Sequence, residues 1–375
     1  MKIAVNTRLL LKDKLEGIGW FAYETLRRIT QQHKEHTFYF LFDRKFDDEF
    51  LFSDNIVPMV VPPQARHPFL YATWFDISIP MALRKVKPDL LLSPDGMLSL
   101  TSGYKSLPVI HDLNFEHFPN DLPKLTQLYY HHYFPRFARK ASRIATVSEF
   151  SKEDIVRVYG IDREKIDVVY NGANEYYQPI SPARQAQTRT IYAKGCSYFL
   201  FVGALHPRKN LANLFYAFDA YKKSTGLDTK LMIVGQKKWW TEDIKKAYKS
   251  MEHKKEVIFT GRLSTKELHN VIASALAMVY VSVFEGFGIP LVEAMYCDTP
   301  VVTSNVSSMP EVGGDAVVTV NPFSIDSIRE GLQKIALDPE LRTQLIIKGR
   351  ERRTCFSWQK TADKLWSSIE HAMDA

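Results

Sequence analysis

Apolar runs with the length of buried strands alternate along the chain with segments whose apolar residues recur every three or four positions. In the first half the predicted strands are Ile3–Asn6, Thr37–Asp43, Val57–Val61, Leu90–Ser93, Val109–His111, Ile144–Val147 and Val168–Tyr170. In the second half they are Phe199–Val202, Leu231–Val234, Val257–Phe259, Met278–Val281, Val301–Thr303 and Val317–Val320. Because helical patterns separate the strands, the predicted fold class is α/β, with parallel sheets covered by helices on both faces.

The length of the chain favours two domains, since 375 residues exceed what one hydrophobic core usually accommodates. A polar segment rich in Pro, Gln and Asn separates the two sets of strands. We therefore predict a first Rossmann-like domain over 1–175, a linker over 176–194 and a second Rossmann-like domain over 195–356. Residues 357–375 carry an apolar stripe with helical spacing and predict a final helix.

The segment 285–293 follows a predicted buried strand and precedes a predicted helix. Gly286 and Gly288 allow a ligand to approach the main chain, and the helix N-terminus attracts an anion. The carboxylates of Glu285 and Glu293 frame this anion site, and carboxylates bind hydroxyl groups rather than phosphate. A phosphate beside hydroxyl groups describes a nucleotide sugar, whereas the alternative is an ordinary strand-to-helix turn.

Two further segments place polar side chains at the ends of predicted strands. Gly203–Asn210 brings Arg208 and Lys209 to a helix start, which suits a diphosphate, although solvated cap residues are the alternative. His111 ends another strand, at the edge where doubly wound sheets bind ligands, and a structural role is its alternative.

The Glu-x7-Glu spacing of 285–293, with Gly-Phe-Gly and Pro inside it, resembles the signature of the retaining glycosyltransferases of family 4. The segments Thr303–Asn305 and Ser308–Ala316 are also similar to that family. The resemblance implies the GT-B architecture, in which two doubly wound domains face each other across a cleft and the last helix packs back on the first domain. It also implies a retaining, metal-independent hexosyltransferase without a cofactor, and the chain contains no Asp-x-Asp motif.

The same resemblance assigns roles to individual residues. It implies that Lys209 contacts the donor diphosphate, that Glu285 lies by the donor sugar and that Glu293 accepts hydrogen bonds from the ribose. His111 is implied to contact the donor sugar, which makes His111, Glu285 and Lys209 the catalytic candidates. The remaining donor-binding candidates are Gly17, Gly19, Arg208, Gly286, Phe287, Gly288 and Ile289.

The segments Pro207–Asn210 and Ser308–Asp315 are most similar to mannosyltransferases that use GDP-mannose. The expected acceptor is a saccharide or lipid-linked saccharide of envelope or capsule polysaccharide synthesis. A UDP-sugar-dependent glucosyl- or N-acetylhexosaminyltransferase and a non-catalytic sugar-nucleotide-binding protein are the alternatives. A nicotinamide-dependent oxidoreductase is set aside, because Gly17-Ile18-Gly19 lacks the third glycine of the dinucleotide fingerprint.

The net charge of +7 includes two basic clusters, Lys124–Arg143 and a predicted lysine-rich helix from Lys237 to Lys255. Each is either a solvated face or a contact with an anionic membrane surface, and no nucleic-acid recognition motif accompanies them. The chain shows no N-terminal signal and no apolar run of membrane-spanning length, and its three cysteines lack metal-ligand spacing. We therefore expect a cytoplasmic protein, with peripheral attachment to the inner face of the membrane as the alternative.

Overall fold

The computed structural model describes residues 1–236 and 240–374. The chain divides into two compact units: unit 1 comprises Met1–Asn171 and Trp358–Ala375, and unit 2 comprises Gly172–Ser357. Each unit contains one all-parallel sheet with helices, so the predicted α/β class with two parallel-sheet domains is confirmed.

Seven parallel strands form the sheet of unit 1, in the order β3-β2-β1-β4-β5-β6-β7. The strands are β1 (Lys2–Asn6), β2 (Thr37–Phe42), β3 (Ile56–Val60), β4 (Leu90–Ser93), β5 (Lys105–Ile110), β6 (Ile144–Thr146) and β7 (Ile166–Val168). The helices that connect them are α1 (Gly17–Gln32), α2 (Pro68–Thr73), α3 (Ile79–Val86), α4 (Asn114–His117), α5 (Lys124–Lys140) and α6 (Glu149–Tyr159). The strand order reverses between β1 and β4, which makes the carboxyl ends of these two strands the topological switch point.

The position of β7 corrects a prediction. Strand pairing places Ile166 opposite Ile144, so β7 begins two residues before the predicted start at Val168. Asp167, in the middle of this strand, accepts two hydrogen bonds from Arg143, at 2.6 and 2.7 Å. The ion pair lets a charged residue occupy the edge of the sheet.

Six parallel strands form the sheet of unit 2, in the order β10-β9-β8-β11-β12-β13. They are β8 (Tyr198–Val202), β9 (Lys230–Val234), β10 (Val257–Gly261), β11 (Ala277–Tyr280), β12 (Val301–Ser304) and β13 (Val318–Val320). The helices of this unit are α7 (Pro182–Ala193), α8 (Leu211–Thr225), α9 (Glu242–Ser250), α10 (Thr265–Ser274), α11 (Ile289–Tyr296), α12 (Met309–Gly313), α13 (Ile325–Leu337) and α14 (Pro339–Arg352). The order reverses between β8 and β11. The predicted start of the lysine-rich helix, at 237–239, lies outside the described residues.

The segment 176–194, which the sequence predicts as a linker, contains helix α7 and belongs to unit 2. Gln185 and Arg189 on α7 donate hydrogen bonds to the carbonyls of Ala273 and Ser274 at the end of α10, at 3.0 and 2.9 Å. The polar residues that indicated a linker therefore attach α7 to a neighbouring helix, because their side chains bond to the last turn of that helix.

The final helix, α15 (Trp358–Asp374), belongs to unit 1 and packs against α1. The Trp358 ring meets that of Phe21 edge-on, with centroids 6.3 Å apart. The Thr361 hydroxyl donates to the carbonyl of Tyr170 at 2.7 Å. The chain therefore leaves unit 1 once, forms unit 2 and returns to complete unit 1.

Candidate active site

The switch point of unit 2 brings together two loops that are distant in sequence. The turn Pro207–Lys209 follows β8, and the loop that carries Glu285 follows β11. The Lys209 ammonium donates to Glu285 Oε1, and Arg208 Nη1 donates to Glu285 Oε2 at 2.8 Å. Lys209 and Glu285 are only 7% and 6% exposed. Three of the predicted site residues therefore form one charge cluster, in which Lys209 and Glu285 are buried and Arg208 is partly exposed.

The charge state of this cluster follows from its pairing. Burial opposes ionisation of Glu285, but the charges of Arg208 and Lys209 outweigh it and lower the pKa of the carboxyl to about 2. Glu285 is therefore an anion across the neutral range. A buried charge of this kind is stable only where partners of opposite sign compensate for the lost hydration.

Tyr280, the last residue of β11, is a member of the cluster that the sequence did not indicate. Its hydroxyl accepts a hydrogen bond from Lys209 and donates to Glu285 Oε1 at 3.1 Å. Burial, together with the charge of Glu285, raises the pKa of this phenol. Tyr280 appeared as one more apolar residue of a buried strand. Its place at the carboxyl end of that strand was the signal that could have identified it.

The glycine loop is held in a conformation that requires glycine. Gly288 has φ +97° at the N-cap of α11, and a Cβ there would lie 2.4 Å from the terminal carbon of Met309. The buried Ser308 hydroxyl donates to the carbonyls of Glu285 and Phe287, at 3.0 Å each. These contacts fix Gly286, Phe287 and Gly288 before Ile289 starts the helix, so the N-terminus of α11 lies at the same edge of the sheet.

Glu293 lies on α11, and its environment differs from that of Glu285. Burial raises the pKa of Glu293 to about 7, although a hydrogen bond from Tyr177 lowers it. This carboxyl therefore exchanges a proton near neutral pH. Tyr177 escaped the sequence analysis because it lies in the segment interpreted as a linker.

In unit 1, His111 follows β5 and has a defined tautomer. Its Nε2 donates to the carbonyl of Pro94 at 2.8 Å, and its ring packs edge-on against Phe21, with centroids 5.0 Å apart. Burial lowers the pKa of His111, so the neutral imidazole is favoured. Gly17 and Gly19 begin α1; a Cβ on Gly19 would lie 3.1 Å from the Leu9 carbonyl oxygen.

The switch point of unit 1 carries a second buried ion pair, which the sequence analysis missed. Arg8 Nε donates to Asp95 Oδ2 at 2.5 Å, and the Asn6 amide donates to Asp95 Oδ1 at 2.8 Å. The guanidinium lies 5.2 Å from the centroid of Tyr71. β1 and β4 end just before Arg8 and Asp95. Polar side chains therefore occupy the carboxyl edge of this sheet, whereas the rest of the core is apolar.

Among the described residues, one group of three side chains has the spacing of metal ligands: His33, Glu35 and His36. It lies between α1 and β2 in unit 1, whereas Glu285 and Lys209 belong to unit 2.

Comparison with known proteins identifies the family. A profile described as "Glycosyltransferase Family 4" matches residues 15–175, and one described as "Glycosyl transferases group 1" matches residues 189–352. Together they cover most of both units, and the chain belongs to glycosyltransferase family 4. Glycosyltransferase activity follows from this membership.

Proteins similar to the chain include two O-antigen mannosyltransferases and a solved structure. O-antigen chain mannosyltransferase B of Escherichia coli is 28% identical over 256 residues, which are 68% of this chain and 67% of that protein. The mannosyltransferase RfbU of Salmonella typhimurium is 29% identical over 62% of this chain and 61% of its own length. Anabaena Alr3699/HepE, solved with UDP and glucose, has a TM-score of 0.76 at 16% identity and covers 99% of both chains. The fold is that of the GT-B glycosyltransferases.

None of the helices in the described part of the chain combines the length and hydropathy that a membrane span requires.

Proposed function

We propose that this protein is a retaining mannosyltransferase that transfers mannose from GDP-mannose to a saccharide or lipid-linked saccharide. The observation that carries the proposal is the cluster of Arg208, Lys209 and Glu285 at the switch point of unit 2, where doubly wound sheets bind nucleotides. The choice of mannose is supported by two relatives named as O-antigen mannosyltransferases. The UDP bound in the HepE structure keeps a UDP-sugar as the alternative donor.

The cluster explains how a diphosphate would be bound. Without donor, the single carboxylate of Glu285 pairs with both cations and leaves the cluster with a net positive charge. A donor diphosphate would compete for Arg208 and Lys209, and would leave the Glu285 carboxylate available to the hydroxyls of the transferred sugar. The N-terminus of α11 adds positive potential beside the same anion through the macrodipole of the helix.

Retention of configuration follows if the acceptor attacks on the face that the diphosphate leaves. The bond between the anomeric carbon and the diphosphate oxygen would break with its electrons on the diphosphate. The acceptor oxygen would bond to the same face, and its proton would go to the departing diphosphate. Lys209 and Arg208 would stabilise the charge on that group, and Glu285 would position the sugar rather than act as a nucleophile.

The other candidates complete the proposed assignment. Glu293 would accept hydrogen bonds from the ribose hydroxyls, a role that requires its carboxylate form. His111 would hydrogen-bond the donor sugar, and Gly17 and Gly19 would admit the donor phosphate close to the main chain. Because two side-chain cations serve the diphosphate, we propose that transfer does not require a divalent metal. Equal transfer rates with and without a metal chelator would agree with metal-independent transfer.

The experiment that tests the proposed function is a panel of GDP- and UDP-sugars, scored by nucleotide release with and without saccharide acceptors. We expect GDP-mannose to give the highest turnover, and the Lys209→Ala variant to measure the background. Proton NMR of the first-formed linkage should show the α configuration from an α-linked donor. A β product would contradict the mechanism, and absence of both transfer and donor hydrolysis would support the non-catalytic alternative.

A further part of the proposal is peripheral attachment to an anionic membrane on the cytoplasmic side, through α5. Leu125 and Leu128 are 73% and 66% exposed on this helix, beside the exposed Lys124. The basic cluster is narrower than the sequence indicated. The Lys140 ammonium donates to the Ser102 carbonyl, and Arg143 pairs with Asp167.

Vesicle co-sedimentation tests this attachment. We expect binding to anionic vesicles at low salt and a large loss of binding in Leu125→Ser/Leu128→Ser. Ile191→Ser, which changes an equally exposed apolar residue of unit 2, is the matched control and should bind as the wild type does. No binding at low salt would exclude the membrane from the proposal.

A further inference from the structure

The connection between α1 and β2 holds three side chains with metal-ligating atoms: His33, Glu35 and His36. Their ligating atoms lie within 4.8 Å of one another. Glu35 Oε1 lies 3.7 Å from His33 Nδ1 and 3.3 Å from His36 Nε2. Two imidazoles and one carboxylate therefore converge on one point at the surface of unit 1.

These separations are close to those around a bound ion. A zinc-type ion lies about 2.0–2.2 Å from imidazole nitrogen and carboxylate oxygen, so two of its ligands lie roughly 3.0–3.5 Å apart. The carboxylate already meets this spacing with His36 and nearly meets it with His33. Because Glu35 is 62% exposed, its side chain can adjust to an ion without disturbing the core.

The two imidazoles are held in place by a residue from the other end of the chain. The indole of Trp366 on α15 stacks on His33 with centroids 3.6 Å apart, and it lies 5.2 Å from His36. The two imidazole planes are within 3° of parallel. The Met1 nitrogen lies 3.0 Å from His36 Nδ1, and Nε2 of the same ring faces Glu35. These contacts limit the movement of both rings.

We propose that His33, Glu35 and His36 bind a divalent transition-metal ion of the zinc class. Imidazole and carboxylate are ligands that suit Zn²⁺, Ni²⁺ and Cu²⁺, and three protein ligands leave a position for water. The site lies in the α1–β2 connection, and the Trp366 indole of α15 packs on its two histidines. The proposal is independent of the donor chemistry of unit 2.

The test uses the full-length chain without a purification tag, treated with a chelator and then desalted. Calorimetric titration with ZnCl₂ should show one ion bound per chain. His33→Gln and His36→Gln should each weaken binding by about tenfold or more, and Glu35→Gln should weaken it less. His131→Gln is the matched control, because His131 forms a single histidine–carboxylate pair with Glu116 at 2.7 Å. It should bind zinc as the wild type does.

A second readout uses the contact with Trp366. Titration with Cu²⁺ should quench part of the tryptophan emission, and Trp366→Phe should remove the quenched component. Absence of saturable zinc binding overturns the proposal, and so does unchanged affinity in both His36→Gln and Glu35→Gln. Glu35→Gln changes an exposed side chain, so the test does not depend on a variant that fails to fold. Transferase activity in chelator should be the same for Glu35→Gln and wild type, which separates this result from that for the proposed function.

Discussion

Lys209 and Glu285, 76 positions apart in the chain, form a buried ion pair at the carboxyl edge of the unit 2 sheet. Each side chain compensates for the charge of the other, so neither has the environment of an isolated catalytic group. Removing one partner of a buried pair leaves an uncompensated charge and typically costs about 3–5 kcal/mol. The pair therefore links the stability of unit 2 to its proposed catalytic role.

Lys209→Ala and Glu285→Ala should each lower turnover by about a hundredfold or more, because each removes an electrostatic contact at the reacting group. Both should also lower the melting temperature. Turnover is measured by nucleotide release, at a temperature where circular dichroism shows the variants folded. A Glu285→Ala enzyme that is folded and retains nearly the wild-type rate would contradict the assignment of this site.

Tyr280→Phe should lower turnover about tenfold or more while leaving the fold intact, because a hydrogen bond to a charged group contributes about 1.5–3 kcal/mol. The phenol joins Lys209 to Glu285, and its loss leaves both less well positioned. Tyr221→Phe removes a buried hydroxyl that donates to Thr229 at 3.2 Å in the same unit. The Tyr221→Phe control should keep wild-type turnover. An equal loss of turnover in both variants would indicate that the Tyr280 hydroxyl has only a structural role.

Donor affinity should weaken as the pH falls below about 7, the pKa to which burial raises Glu293. Protonation removes the negative charge that is proposed to accept hydrogen bonds from the ribose. Isothermal titration with the donor at pH values from 6 to 8 measures the effect in the wild type and in Glu293→Gln. The variant should bind more weakly at pH 8 and lose most of the pH dependence. An unchanged pH profile would exclude Glu293 as the titrating group.

The same residue should affect stability in the opposite direction. The folded pKa of Glu293 lies above its ordinary value of 4.5, so its protonated form favours folding below that value. This contribution is lost as the pH rises through about 7. Glu293→Gln should therefore raise the Tm at pH 8 by about 2–4 °C for each kcal/mol recovered, and by less at pH 5. A Tm gain that is equal at both pH values would contradict this account.

Gly288→Ala should destabilise unit 2 more than a positive φ alone requires. A left-handed conformation costs a non-glycine residue roughly 1–2 kcal/mol, and the added Cβ also displaces the end of the buried Met309 side chain. Gly261→Ala provides the matched control, because Gly261 has φ +73° and no heavy atom within 4 Å of an added Cβ. Urea unfolding should show a larger loss at Gly288. Gly288→Ala should cost less stability when it is introduced into a Met309→Ala background than into the wild type.

The sequence predicted most of the strands because they are apolar runs bounded by polar or glycine residues. The exceptions are β5 and β7, which begin at Lys105 and Ile166, before the predicted starts at Val109 and Val168. The sequence also placed Lys209 and Glu285 after predicted strands of the second domain. Their direct contact follows only from the strand order, which places β8 beside β11. That order is a property of the folded sheet, and no local pattern near either residue reveals it.

The residues that the sequence did not indicate have partners distant in the chain. Tyr280 and Tyr177 are chemically versatile side chains whose hydrogen bonds depend on which way the ring points. Arg8 and Asp95 follow different strands and meet only where β1 lies beside β4. The prediction of a linker at α7 was wrong for a similar reason. The polar side chains of this helix bond to the end of a neighbouring helix, and a helix of that kind has the same composition as a linker.

The return of the chain to unit 1 at Trp358 has a consequence for biosynthesis. Translation produces the sheet of unit 1 first, but the helix that covers α1 emerges from the ribosome only after all of unit 2. Until then Phe21, which packs on Trp358, lacks that cover. A nascent chain that stops after unit 2 and before α15 would contain a complete unit 2 and an incomplete unit 1. Quality control by chaperones and proteases should therefore act on the amino-terminal half.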